Sequence, residues 1–71
     1  MPIGSIKTVE GLLTPEKKTL LHQKLTDLLV EMEGGGNPRV AKFVVINITE
    51  EPAGNFSGGG IQLKPEMFTH K

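Results

Sequence analysis

The sequence predicts a small α+β fold in which two parallel strands are joined by one long helix. Three observations predict it. A β-forming stretch opens the chain, a well-capped amphipathic helix follows, and a strand-length apolar run comes after a triple glycine. The order strand, helix, strand implies a right-handed parallel crossover. At 71 residues the chain is a single domain, 1–71.

The opening stretch runs from Pro2 to Glu10 and carries Ile3, Ile6, Thr8 and Val9. Its apolar/polar alternation is imperfect, and Gly11 punctuates it. The helix has a clear start. Thr14 is a good N-cap, and Pro15 follows at the first helical position, where its missing N–H costs nothing. Glu16 suits the positive end of the helix dipole. Leu21, Leu25, Leu28, Leu29 and Met32 form the predicted apolar stripe, while Gln23, Lys24, Asp27 and Glu31 read as solvated. Gly34-Gly35-Gly36 ends the helix with the backbone freedom a C-terminal cap needs, and Asn37-Pro38 continues the turn.

The second strand is predicted over Phe43–Thr49, whose residues are apolar on both faces for most of their length, as in a sheet centre. One helix covers only one face of a two-stranded sheet, so the other is expected bare. From Glu51 the tail is turn-rich. Pro52, Gly54, Asn55 and Gly58-Gly59-Gly60 imply tight turns around a very short strand near Phe56. Ile61-Gln62-Leu63 is a candidate for pairing with another subunit, Pro65 is expected to stop regular structure, and Glu66–Lys71 is expected to be loose or to cap a neighbour.

Size and charge restrict the function. A lone domain this short buries only about 60% of its unfolded surface, and small scaffolds commonly compensate with disulfides, metals or oligomerisation. The chain has no cysteine, and His22 and His70 have no ligand spacing. Homo-oligomerisation is the remaining remedy. Basic and acidic residues balance at 8 each, and the only aromatics are Phe43, Phe56 and Phe68, so neither a basic stripe nor a stacking platform for nucleic acid is present. The N-terminus meets Gly4, Ser5 and Lys7 at once, unlike a signal peptide, and no apolar run approaches the roughly 20 residues of a membrane span. The expectation is a cytoplasmic, oligomeric domain that binds neither nucleic acid nor membrane.

Several segments together carry a resemblance. They are Met1-Pro2-Ile3, Glu10-Gly11, Thr14-Pro15-Glu16-Lys17-Lys18, and Ile48-Thr49-Glu50-Glu51-Pro52-Ala53-Gly54-Asn55-Phe56 followed by Ser57-Gly58-Gly59-Gly60. In order and spacing, over nearly the whole chain, they resemble the 4-oxalocrotonate tautomerase family. The resemblance implies a β-α-β subunit with a short C-terminal hairpin, assembly commonly as a hexamer, a small-molecule substrate and no cofactor.

It also implies a catalytic role for Pro2, freed by loss of Met1. A normal α-amino group titrates near about 7.7–8.0, a proline nitrogen is usually more basic, and burial in an apolar site or a nearby cation lowers either. A base poised near the operating pH is the efficient one. The neutral amine would move a proton between carbon and oxygen, or along a conjugated system, of a 2-oxo or enol acid. The competing reading of Pro2 is a plain strand-starting proline.

The sequence departs from the family where substrate is held. Family enzymes acting on dicarboxylates place an arginine just after Glu-Gly, where Leu12 stands, and another in the second strand, where Val45 stands. Arg39 is the candidate replacement anion anchor, with Lys42 beside it; both also read as solvated residues flanking a strand. Phe56 matches an aromatic pocket wall, and reads equally as a hairpin residue packed at an interface. Ile3 and Leu12 would add apolar lining. Glu50-Glu51 reads better as a strand end than as a catalytic carboxylate pair. The missing arginines also admit a family member with low or lost activity that serves as a structural or interaction subunit. A hydrolytic dehalogenase relative is the third reading.

Overall fold

The computed structural model describes residues 1–68; His70 and the last part of the expected 66–71 cap lie outside them. Strands β1 (Ile3–Val9) and β2 (Val45–Glu51) pair in parallel, in register from Ile3 opposite Val45 to Val9 opposite Glu51. The amide of Glu10 donates to the carbonyl of Glu51 at 2.9 Å, and Gly11, at φ 89°, then turns the chain out of the sheet.

Helix α1 (Pro15–Glu33) starts where its cap dictates: Thr14 Oγ1 accepts the Lys17 amide at 3.1 Å. It ends on the glycines. The amides of Gly34 and Gly36 both donate to the Val30 carbonyl, and Gly35 and Gly36 take positive φ. Gly34 is needed for a different reason. A Cβ there would overlap Val40 Cγ2 and lie 2.9 Å from the Val30 carbonyl oxygen.

The sheltered arc of α1 includes Val30, which is buried, and Leu21, Leu25 and Leu29, which are partly covered. It does not include Leu28 and Met32, which the apolar stripe had contained and which are 49% and 72% exposed. Leu28 lies at the rim of the arc. Met32 sits in the last turn, past Leu29, which already packs over Gly4 near the start of β1.

The apolar run at 43–49 is not one strand. Phe43 closes a short 3-10 helix (Pro38–Phe43), because Asn37 Oδ1 accepts the Arg39 amide at 3.0 Å and Pro38 has its φ preset for a helical start. The Val44 amide still donates back to Ala41, so β2 starts at Val45 and runs on to Glu51. Nor is β2 covered on both faces. Gly4, Ile6 and Thr8 with Ile46, Ile48 and Glu50 are partly shielded on the helix side, while Ile3, Ser5 and Lys7 with Val45, Asn47 and Thr49 are exposed.

The tail forms a hairpin of β3 (Ser57–Gly58) and β4 (Ile61–Gln62), turned by Gly59 and Gly60 at φ 60° and 84°. Two positive φ values at the turn give strands the twist that suits them. Ile61 and Gln62 therefore pair within the chain. Pro65 opens a further 3-10 turn (Pro65–Met67) instead of ending regular structure, as its preset φ allows.

The core is small: among the described residues only Val30 and Ala53 are buried. The radius of gyration is 15.3 Å, against about 11 Å for a self-contained domain of this length. No helix among the described residues is long and apolar enough to cross a membrane.

Candidate functional site

Pro2 stands at the mouth of the sheet. Its carbonyl accepts the Val45 amide at 3.0 Å, so the ladder between β1 and β2 fixes its place one residue before β1 begins. Beside it is a cavity of about 380 Å³ lined by Met1, Pro2, Leu29, Glu33, Gly34, Val40 and Phe43.

Local structure explains this lining. Leu29 and Glu33 are four residues apart on α1 and so share a face. Val40 and Phe43 are three apart in a 3-10 helix, where such side chains eclipse. Gly34 lets the two elements approach, because any side chain there would strike Val40. The walls are mostly apolar. Glu33 supplies the single ionisable side chain of the lining, and no hydrogen bond or ion pair among the described residues engages it.

The other expected site residues lie elsewhere within one chain. Arg39 and Lys42 flank Val40 and Phe43 on the short helix but are exposed and outside the lining. Lys42 Nζ sits 5.3 Å from the Phe43 ring centroid, a cation–π contact on a wall residue. Leu12 is exposed in the loop after β1, and Ile3 is on the uncovered sheet face. Phe56 is half-buried in the tail, where its carbonyl accepts the Leu63 amide at 2.9 Å. Val45, though bonded to Pro2 through the backbone, belongs to the uncovered face, opposite the helix.

Glu50 and Glu51 are at the far end of β2 from Pro2 and are already engaged. Glu50 Oε2 pairs with Lys18 Nζ at 3.1 Å, while its Oε1 is buried without a partner. Glu51 accepts from Asn55 Nδ2 at 3.2 Å and pairs with Lys7 at 3.3 Å. The Asn55 hydrogen bond first, then the Lys7 ammonium, hold its carboxyl below the usual carboxylate value. His22 is half-buried on α1, and no cluster of three metal-ligating side chains occurs among the described residues.

Leu29, Glu33, Val40 and Phe43 escape a reading of the sequence. Their spacings signal shared faces, but only the crossover shows that the two faces meet beside Pro2. Chemically, the nitrogen of Pro2 is an amide while Met1 is attached. Once Met1 is removed it becomes a secondary amine beside apolar walls.

No protein-family model and no curated protein matches the chain. Solved structures do. DmpI from Helicobacter pylori is 30% identical, with 86% of this chain and 94% of that one covered and a TM-score of 0.70. A structure described for trans-3-chloroacrylic acid dehalogenase activity is 27% identical, covering 87% and 98%, with a TM-score of 0.71. YwhB, described as a homologue of 4-oxalocrotonate tautomerase, is 26% identical, covering 86% and 92%, with a TM-score of 0.74.

Proposed function

Since the chain belongs to the 4-oxalocrotonate tautomerase family, we propose that it is a cofactor-independent tautomerase whose general base is the amine of Pro2. The substrate class is a 2-oxo or enol acid, and the reaction a keto–enol or double-bond isomerisation. The observation that carries this reading is the placement of Pro2 beside Leu29, Val40 and Phe43 in the lining of a cavity that measures about 380 Å³ with Met1 still in place as one of its walls. Apolar walls disfavour the ammonium form and keep the amine available as a base. A cavity of this size suits a small ligand. The backbone bond to Val45 fixes the residue, and the pyrrolidine ring fixes the lone pair.

Similarity to both a tautomerase homologue and a dehalogenase is neutral between isomerisation and dehalogenation. A second reading, a subunit of low or lost activity, is favoured by Leu12 and Val45 at positions where the family's dicarboxylate enzymes carry arginine. The working form is a cytoplasmic homo-oligomer, a hexamer on the family pattern. A core of two buried residues among those described, and an uncovered sheet face, support association.

The test is intact mass of protein from its native host together with turnover of phenylpyruvate-type enols, with Pro2→Ala as control. Loss of Met1 and a Pro2-dependent rate are expected. Equal rates in wild type and variant, with Met1 shown absent, would remove Pro2 from the mechanism.

A further inference from the structure

We propose that Glu33 is a specificity-determining residue of the Pro2 cavity, which selects acids with one carboxylate and an uncharged or cationic body and turns away dicarboxylates. The inference rests on the tautomerase reading and names the substrate class within it.

The argument is one of charge placement. The α1 side of the cavity carries Glu33, the only ionisable side chain in the lining, with no cation among the described residues paired to it. The side built by the short helix carries no charge in its lining; Arg39 and Lys42 are neighbours of Val40 and Phe43 in sequence but stand exposed outside it. The cavity is therefore polarised. A single carboxylate can lie at the end of the cavity away from Glu33 and leave its body against the apolar walls. A second carboxylate, at the other end of the ligand, would have to approach Glu33. Glu33 is exposed, so the repulsion acts at the open rim of the cavity, where two like charges a few ångströms apart still disfavour the second carboxylate. The position also reinforces what Leu12 and Val45 imply, because neither contributes a cation to this cavity. Discrimination of at least tenfold is expected.

The test compares an aryl monoacid, the enol of phenylpyruvate, with a diacid, 2-hydroxyhexa-2,4-dienedioate, in wild type, Glu33→Gln and Glu33→Lys. In wild type the monoacid should have at least a tenfold higher kcat/KM. Glu33→Gln should narrow that ratio about tenfold, chiefly through the KM of the diacid, and Glu33→Lys should reverse it. An unchanged ratio in both variants, or a wild type that prefers the diacid, overturns the proposal.

Pro2→Ala separates this question from the mechanism. If Pro2→Ala retains the rate, the tautomerase reading fails, and Glu33 is then judged by binding alone. Calorimetry with 3-phenylpropanoate and hexanedioate should show tighter monoacid binding in wild type and near-equal affinities in Glu33→Gln. Equal affinities in wild type overturn the role of Glu33.

Discussion

The Val45 amide and the Pro2 carbonyl meet at 3.0 Å, tying the proposed base to the second strand through backbone atoms alone. The bond makes no use of the proline ring. Pro2→Ala therefore keeps the acceptor and should fold as wild type does, losing at most about 1 kcal/mol through the freer unfolded chain. Enol turnover should fall about 10²–10⁴-fold, the ordinary worth of a general base. Circular dichroism and urea unfolding alongside the enol assay check both halves.

Gly34 is the second test of the site. A methyl group there meets Val40 Cγ2 and the Val30 carbonyl, one a branched wall side chain and the other backbone. Neither is a flexible end that swings away. Gly34→Ala should cost about 1–3 kcal/mol, the usual range for overpacking, and move the Val40 wall. A urea midpoint equal to that of wild type would mean that the short helix is free to shift.

These two residues also mark what was legible in the sequence. Thr14-Pro15 and the three glycines bound the helix correctly, because caps act locally and leave a residue signature. Phe43 was not legible as helix. Its apolar neighbours look like strand, and only the Asn37 side chain closing on the Arg39 amide shows that the chain is still turning. Leu28 and Met32 fit the helical period, but their exposure depends on where the sheet stops. Pro2 as a base came from resemblance, since a second-position proline alone says little. Glu33 was invisible because its meaning depends on Val40 and Phe43 lying across from it.

Acid should weaken the end of β2. Glu51 has a carboxyl held below its ordinary value of 4.5, by Asn55 first and then Lys7. A depressed folded value means that this contribution is complete above the unfolded value and is lost as pH falls through the folded one. Asn55→Ala and Lys7→Met should each flatten the stability profile below about pH 4.5. Thermal melts from pH 6 to 2.5 read this directly; identical profiles in wild type and both variants would remove Glu51 from the acid response.

The Lys18–Glu50 pair locks the start of α1 to β2 across 3.1 Å. Lys18→Met leaves a half-buried carboxylate whose Oε1 already lacks a partner. Both side chains are partly exposed, so the cost is discounted from that of a buried pair to about 1–2 kcal/mol. In a double-mutant cycle with Glu50→Leu, the double variant should be less destabilised than the sum of the singles. Strict additivity would show that the two groups act independently.

The uncovered sheet face is the contact expected for the proposed oligomer. Ile3 is 68% exposed and Val45 43% exposed, neighbours on a sheet whose other face is taken by α1. Within one chain much of both apolar side chains stays in water, so association that covers them would be favourable. Ile3→Lys places a charge in the middle of that contact, where desolvation penalises it, and leaves the parallel ladder untouched. Sedimentation at micromolar concentration should show a large oligomer for wild type and smaller species for Ile3→Lys, with the variant also melting at a lower temperature and more dependent on protein concentration. A variant that sediments as wild type does would place the contact on another surface, and the exposed Leu20 and Leu28 of α1 would then be the face to substitute.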